Sequence, residues 1–181
     1  TIAKEKGLEP LAAYILLQNA KEPLEETAKQ YISEDKEVLT AADAIAGAKD
    51  IIAENISDNA DYRTWIRRVT MKKGKVISVA KDPEAESVYE MYYEFEEPVS
   101  KLAGHRILAL NRGEKEKFLN VKVEAPEEEI LTYLEKKTIR RDNLYTSPVL
   151  KETVEDSYHR LIAPAIEREI RNELTEKAED G

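Results

Sequence analysis

The sequence predicts a mainly α-helical fold: an elongated multihelical domain with at most a minor, short two-stranded β element. Prolines stand where helices would begin and glycines where they would end. Apolar residues recur at spacings of three and four, which is the period of one helix face. Charged residues make up 36% of the chain and aromatic residues 7%, which indicates exposed helices rather than a compact barrel.

Three helices are predicted in the first third of the chain. Pro10 can begin a helix that reaches about Ala20, and Pro23 can begin a second one. The inward face of the second helix would hold Leu24, Ala28, Tyr31 and Ile32. The third helix, from Thr40 to Ile56, is the clearest, because Thr40 is a good N-cap. Its single apolar stripe consists of Ala44, Ile45, Ala48, Ile51, Ile52 and Ile56.

The next segment combines a helix with a short strand. Ser57 or Asp58 can cap this helix, and Gly74 is expected to end it in the left-handed conformation. One helix face is apolar and the opposite face is basic; the apolar face consists of Tyr62, Trp65, Ile66 and Val69. The β-branched run "KVISVA" that follows Gly74 predicts a strand.

Two further helices and a second strand are predicted before residue 125. Asp82 followed by Pro83 is typical of a helix start, with Val88, Met91 and Tyr92 inside. Pro98 can open another helix through Leu110. The chain would then turn at Gly113, and "FLNVKVE" alternates like a strand. The two extended pieces could pair as a minor sheet.

The last third is again predicted to be helical. Pro126 and the glutamates after it form an acidic helix start, which suits the helix dipole. The segment "RRDNLYTS" interrupts the pattern, so a sub-boundary is expected near residues 142–147. Pro148 begins the final long helical region, and Pro164 predicts a kink or break near Ala163, since proline removes one backbone hydrogen bond.

Composition excludes several classes of protein. The chain has 181 residues, no cysteine and two histidines, which excludes disulfide frameworks, thiolate metal sites and cysteine nucleophiles. No apolar run approaches the roughly 18 residues of a membrane span, so a soluble cytoplasmic protein without membrane contact is expected. The chain does not begin with methionine, and both ends look like cuts from a longer protein.

No catalytic, cofactor or metal site is predicted. Gly104 and Gly113 are separated by a predicted helix and cannot form one phosphate cradle. His105 and His159 lie far apart, and neither has a second ligand at helical spacing. The sequence contains no nucleophile, base and orienting group in a recognisable pattern, so an enzyme is the least favoured class.

Basic runs are the feature with most functional content. The formal net charge is −9, yet residues 63–81 contain seven Lys or Arg and no acidic residue, and residues 136–141 contain four and none. Such runs can neutralise nucleic-acid phosphates, or they can pair with the chain's own acidic helices, which is the favoured alternative. The candidate nucleic-acid-binding residues are Arg67, Arg68, Lys72, Lys73, Lys75, Lys136, Lys137, Arg140 and Arg141.

Four phrases carry a resemblance to a known family. They are "TIAKEKGLEPLA", "AIAGAKDIIAENIS", "HRILALNRGEKEKFLNVKVE" and "VEDSYHRLIAPAIEREIRNELTEKAE", and together they resemble the bacterial Tex (YhgF-like) family of transcription accessory proteins. The resemblance extends over residues 1–181 and implies the helical region that precedes a YqgF-type domain. It also implies a larger cytoplasmic protein that binds nucleic acid through other modules.

The third phrase contains the residues that we call the signature: His105, Arg106, Arg112, Gly113 and Glu114. The resemblance transfers no catalytic role to them. Their chemistry suits a helix end, a glycine turn and a strand, with Arg106 and Arg112 anchoring acidic neighbours across the turn.

Three functions remain open from the sequence. The first is a helical scaffold that positions RNA- or DNA-binding modules and adds at most auxiliary phosphate contacts. The second is a nucleic-acid-binding module in its own right, through a basic face. The third is a docking platform for RNA polymerase or another protein, through an acidic face with Glu167, Glu169, Glu173 and Glu176. The expected partners are RNA or DNA, bound through the full-length protein, while the oligomeric state stays open.

Overall fold

The computed structural model describes residues 2–180, and they form two compact units. The first unit comprises the residues up to Tyr62 together with Glu128–Ala163. The second comprises Arg63–Glu127 together with the residues from Pro164 onward. Residues 142–147, where the sequence predicts a sub-boundary, belong to the first unit, and that sub-boundary stays a prediction.

The helices and strands confirm a mainly α-helical fold. The order begins with α1 (Ile2–Glu5), α2 (Glu9–Leu17), α3 (Leu24–Ala28), a 3₁₀ turn (Lys29–Tyr31), α4 (Ala41–Asp58), α5 (Ala60–Lys73) and β1 (Lys75–Ala80). It continues with β2 (Glu94–Pro98), α6 (Gly104–Lys115), β3 (Leu119–Glu124), α7 (Glu127–Thr138), α8 (Ser147–Asp156), a π-helical segment (Ser157–Ile162) and α9 (Ala163–Asp180). None of the helices within residues 2–180 is long and apolar enough to cross a membrane.

Helix α4, which is the clearest helix in the sequence, is the centre of the first unit. It begins at the expected cap, where the Asp43 backbone N–H donates to Thr40 Oγ1 at 3.0 Å. Its buried face contacts α1, α2, α3, α8 and the π-helical segment. The fully buried alanines on this face, Ala44 and Ala48, let the neighbouring helices approach closely. Ile32, which was expected to face inward after α3, is instead exposed.

The break predicted by Pro164 is a widened turn of helix. The Ala163 N–H donates to Tyr158 O, five residues back, so the chain is π-helical immediately before α9. Proline cannot donate a backbone hydrogen bond, which favours a departure from the α pattern at this point. The buried Ser157 hydroxyl donates to Ala53 O of α4 at 2.6 Å and fixes the segment against the core.

An exposed ion pair at the start of this segment gives a pH-dependent prediction. Arg160 donates to Asp156 at 2.8 Å, and this hydrogen bond holds the pKa of Asp156 below its usual value. A lowered folded-state pKa stabilises the fold above the unfolded pKa, and this contribution disappears as the pH falls through the folded pKa. We expect Asp156→Asn to lower the free energy of unfolding by about 0.3–0.5 kcal/mol at pH 7.

Urea denaturation at pH 7 and at pH 2.5 measures this difference between the wild type and Asp156→Asn. The difference should be smaller at pH 2.5 than at pH 7, and Glu155→Gln, a change of the neighbouring exposed carboxylate, is the control. An equal loss at both pH values would contradict the prediction.

The sheet of the second unit has three strands, so the prediction of a two-stranded element was wrong. The order is β2-β1-β3, with both pairings antiparallel. Val76 of β1 lies opposite Glu97 on one side and Val123 on the other. Strands β1 and β3 occupy the segments predicted from their β-branched residues, and α6 packs against β3.

Strand β2, which the sequence does not predict, occupies part of a region that the sequence predicts as helical. The chain after Asp82 forms turns and one short 3₁₀ segment (Glu90–Tyr92), then enters β2. Of the residues predicted to be inside a helix, Tyr92 is buried, but Val88 is 84% exposed and Met91 67%. The predicted helix at Pro98 also begins later, because a 3₁₀ turn (Val99–Lys101) precedes α6.

Two glycines differ from their predicted roles. Gly113 lies inside α6 rather than at the turn, which falls at Lys117 with φ 69°. Gly113 is buried, and a Cβ there would overlap the Leu119 side chain and come within 3.1 Å of Tyr89. Gly74 has no left-handed φ; a Cβ there would meet the carbonyl oxygens of Thr70 and Glu124. Both positions therefore require glycine for close packing.

Candidate nucleic-acid interface

The first basic run lies on α5 and β1 in the second unit. Arg67 is half-buried and pairs with Glu173 of α9 at 3.6 Å, and Lys75 pairs with Glu96 of β2 at 3.5 Å. Arg68 and Lys72 are exposed one helical turn apart, and neither forms an ion pair with the residues that the structure describes. The run is therefore divided between internal pairs and free cations.

The end of α5 gives the exposed cations of this run a structural role as well as a possible functional one. Lys72 and the exposed Lys73 occupy the last turn of α5, where the helix dipole favours positive charge. Arg68 and Lys72 repel each other slightly at this spacing, so a bound phosphate would stabilise both. Their arrangement permits phosphate contacts without requiring them.

The second basic run surrounds the end of α7 in the first unit. Its members Lys136, Lys137, Arg140 and Arg141 are all exposed. Lys137 Nζ lies 5.6 Å from the centre of the Tyr133 ring, a cation–π contact. Arg140 Nε donates to the Lys137 carbonyl at 3.4 Å. Each basic run thus belongs to a different unit.

Gln18 organises the chain that carries the second run. It is buried, has a left-handed backbone with φ 58°, and ends α2. Its Nε2 donates to Thr138 O at 2.8 Å, which satisfies the last carbonyl of α7. Its Oε1 accepts the backbone N–H groups of Arg140 at 2.8 Å and Arg141 at 3.2 Å. One side chain therefore determines where both arginines leave the helix.

Removing the Gln18 amide should loosen this junction. Gln18→Ala leaves the Thr138 carbonyl and the Arg140 N–H without their partner, so we expect the free energy of unfolding to fall by about 1–2 kcal/mol. Urea denaturation followed by circular dichroism measures the change, with Asn19→Ala at the exposed neighbour as the control. A Gln18→Ala midpoint equal to that of the control would contradict this role.

Glu114 is the signature residue that takes part in a polar clamp between α6, β3 and α9, all in the second unit. Arg171 of α9 donates to both carboxylate oxygens of Glu114, at 2.7 and 3.1 Å. It also donates to Asn111 Oδ1 at 2.8 Å and to the Val121 carbonyl at 3.3 Å. Asn111 in turn donates to Thr175 Oγ1 at 2.8 Å. We call Arg171, Glu114, Asn111 and Thr175 the clamp.

The other signature residues have different environments from those predicted. Arg106 was expected to anchor an acidic neighbour, but its guanidinium lies 5.6 Å from the centre of the Phe95 ring. Arg112 and His105 are exposed, and Arg112 forms no ion pair within residues 2–180. The anchoring role belongs to Glu114 instead. Its partner Arg171 lies 57 positions away, so no local pattern could reveal it.

The acidic face proposed from α9 also has internal contacts. Glu167 accepts the Val123 backbone N–H at 2.8 Å. Glu173 pairs with Arg67 at 3.6 Å and with Lys177 at 4.0 Å. Glu169 is half-buried and Glu176 is exposed. Two of the four carboxylates therefore support the fold directly.

Ionisable groups do not converge in a reactive pair among the described residues. Hydrogen bonding to Glu116 raises the pKa of Tyr89, and burial raises the pKa of Tyr133. Each tyrosine packs on another ring, Tyr89 on Phe118 and Tyr133 on Tyr62. Within residues 2–180, no group of three or more His, Asp or Glu is placed to hold a metal ion.

Comparison with known proteins gives consistent similarities. Residues 18–181 match the family model described as Tex central region-like. The protein YdcI of Bacillus subtilis (strain 168) is 55% identical, over 99% of this chain and 26% of its own length. Protein tex of Bordetella pertussis is 37% identical, over 67% of this chain and 16% of its own length. The Transcription elongation factor SPT6 homolog of Arabidopsis thaliana is 28% identical, over 90% of this chain and 10% of its own length. The chain thus spans about a quarter or less of these relatives.

Proposed function

Because this chain belongs to the Tex central region-like family, we propose that it serves transcription as a helical scaffold of a longer accessory protein. In this function it positions the RNA- or DNA-binding modules of that protein and adds at most auxiliary phosphate contacts. It performs no reaction and needs no cofactor. The name of the Arabidopsis relative, a transcription elongation factor homolog, supports a role in transcription, and we expect this role in the cytoplasm.

The clamp is the observation that carries this proposal. It joins two helices and the outer strand of the sheet through five hydrogen bonds, and Glu114 is the signature residue among its members. A bidentate arginine–carboxylate pair fixes orientation as well as distance. Such a joint suits an element that holds other modules at fixed angles, and it leaves Glu114 and Arg171 committed to structure rather than to a ligand.

Two binding measurements test the scaffold. At about 150 mM salt, the chain alone should bind single-stranded RNA or DNA with a Kd weaker than roughly 10 μM, within the range of non-specific contacts. In the full-length protein, Arg171→Met should weaken nucleic-acid binding severalfold, at a temperature where the variant remains folded, because the modules lose their fixed positions.

A control variant and two outcomes that would contradict the scaffold complete this test. Arg168→Met, at an exposed position one turn away on α9, is the control for the full-length measurement. Submicromolar binding by the chain alone would contradict the scaffold, as would equal affinities of the Arg171→Met and Arg168→Met proteins.

A second candidate is a direct nucleic-acid-binding module on α5. The exposed Arg68 and Lys72, which have no ion pair within the described residues, favour it. Charge reversal of Arg67, Arg68, Lys72 and Lys73 to Glu should then abolish binding by the chain. Reversal of four exposed cations elsewhere in the same unit, Lys101, Lys115, Lys117 and Lys122, is the control with an equal change of charge. Equal losses of affinity in both variants would show that binding depends only on the overall charge, which would contradict a site on α5.

Docking of RNA polymerase or another protein on the acidic face is the third candidate. Within residues 2–180, two of its four glutamates have internal partners and only Glu169 and Glu176 have none, which makes this face the weakest of the three candidates. Pull-down with the full-length protein, with and without Glu169→Gln and Glu176→Gln, tests it. Unchanged recovery of the polymerase would remove this candidate.

A further inference from the structure

A groove of about 320 Å³ opens on the surface of the first unit. Its apolar floor is formed by Leu16 at the end of α2 and by Ile52 and Ile56 of α4. Asn55 and Asn59 stand beside this floor, and the half-buried Tyr62 continues the wall. Its volume lies at the lower end of the range of small-ligand sites, about 300–1,000 Å³.

The charge of the groove is opposite to that of the chain. Lys137 and Arg140 are among its lining residues, and no carboxylate is. The chain as a whole carries a formal charge of −9, so this surface is a local reversal. Two cations beside an apolar floor attract an anion whose other part is apolar.

Both cations are held in place by contacts already described. Lys137 lies over the Tyr133 ring, and that ring packs edge-on against Tyr62 at 6.0 Å between centroids. The backbone of Arg140 is fixed by Gln18, and its side chain bonds to the Lys137 carbonyl. Gln18 also donates to the Thr138 carbonyl, which offsets part of the negative partial charge at this end of α7. The cations therefore lose less conformational freedom when an anion binds.

Amide groups supply the remaining chemistry. Asn59 lines the groove, and its Oδ1 accepts the Tyr62 N–H as a helix cap, which leaves its Nδ2 as a donor. The Asn55 side chain is exposed and has no hydrogen-bond partner within residues 2–180, so it offers both a donor and an acceptor. An asparagine amide can pair with the polar edge of a nucleobase.

We propose that this groove binds one nucleotide unit of single-stranded nucleic acid. Lys137 and Arg140 contact the phosphate, the flat base lies over Leu16 and Ile56, and the asparagine amides contact the edge of the base. A nucleotide contacts the cations, the apolar floor and the asparagine amides of the groove at once, whereas an acidic peptide would contact only the cations. The binding site goes beyond the scaffold function and does not depend on it.

Two double variants with equal charge change test the site. Lys137→Glu with Arg140→Glu changes both groove cations, while Lys21→Glu with Lys151→Glu changes two exposed cations of the same unit, which do not line the groove. The probe is a fluorescein-labelled decauridylate, and fluorescence anisotropy at about 50 mM salt gives the Kd, since phosphate contacts weaken as salt rises. We expect at least a tenfold weaker Kd for the groove variant and less than a threefold change for the control.

A change of the probe gives a second test that leaves the protein intact. An abasic decamer with the same phosphates should bind the wild type at least threefold more weakly than decauridylate. A decamer of deoxyuridylate distinguishes RNA from DNA as the ligand. Equal affinity for both decamers assigns the site to single strands of either sugar, and weaker binding of the deoxyuridylate decamer assigns it to RNA. Circular dichroism confirms that both variants are folded.

Four results would overturn the proposal. They are the absence of binding by the wild type, equal losses in the two double variants, equal affinity for the abasic decamer, and displacement of the decamer by polyglutamate at matched charge. These results are separate from those that test the scaffold, which is measured at physiological salt and in the full-length protein.

Discussion

Gly74→Ala is expected to lower the free energy of unfolding by about 2–3 kcal/mol, among the largest effects of a single methyl group in this chain. A Cβ at this position would lie 2.5 Å from the Thr70 carbonyl oxygen and 3.0 Å from that of Glu124. Both neighbours are backbone atoms, so no side chain can rotate away. Gly74 also accepts the Val99 N–H at 3.0 Å, and its displacement would disturb the start of the sheet.

Two further substitutions separate close packing from backbone conformation. Asparagine tolerates a left-handed backbone, so Gly74→Asn would be mild if a positive φ were the requirement. Because the requirement is space, we expect Gly74→Asn to be at least as harmful as Gly74→Ala. Gly104→Ala, whose Cβ would meet only Ala178 at 3.3 Å, should change stability by less than about 1 kcal/mol. Urea denaturation compares all three, and a mild Gly74→Asn would refute the packing explanation.

Arg171→Met is expected to cost about 2–3 kcal/mol. The Arg171 side chain is 18% exposed, and its removal leaves Glu114, Asn111 Oδ1 and the Val121 carbonyl without their donor. Glu114 is 38% exposed, so water recovers part of its hydrogen bonding and keeps the loss below that of a fully buried pair. Methionine retains much of the apolar packing of the arginine stem.

A double-mutant cycle isolates the ion pair within this effect. Arg171→Met and Glu114→Gln, alone and together, should give a coupling energy of about 1 kcal/mol. Arg171→Lys keeps the charge but loses the forked geometry, so it should recover less than half of the loss. Arg168→Met, on the exposed side of α9, should change stability by less than about 0.5 kcal/mol. If Arg171→Met resembles Arg168→Met, the clamp does not stabilise the fold.

Local sequence patterns predicted much of the fold because they act over a few residues. The Thr40 cap, the apolar stripe of α4 and the β-branched residues of β1 all lie within single elements. Strand β2 was missed because "EFEEP" contains three glutamates and a proline, which are poor strand formers. Its conformation depends on pairing with β1, where Val76 lies opposite Glu97.

Of the candidate site, the sequence predicted only the charged residues. Sequence identified the cations of both basic runs, since a run of like charges is visible directly. Gln18 was missed because its partners, Thr138 and Arg140, are 120 and 122 positions away and glutamine is not a typical left-handed residue. Arg171 was missed for the same reason, since spacing within α9 says nothing about the strand against which it packs.

The contacts of α9 with β3 have a consequence for self-association. The Val123 N–H and the Val121 carbonyl point away from β1, and Glu167 and Arg171 occupy them. An open edge of this kind can recruit a strand from another molecule. The opposite edge, β2, carries glutamates and ends in Pro98, which discourages such pairing. Two side chains of one helix thus protect the chain against edge-to-edge aggregation.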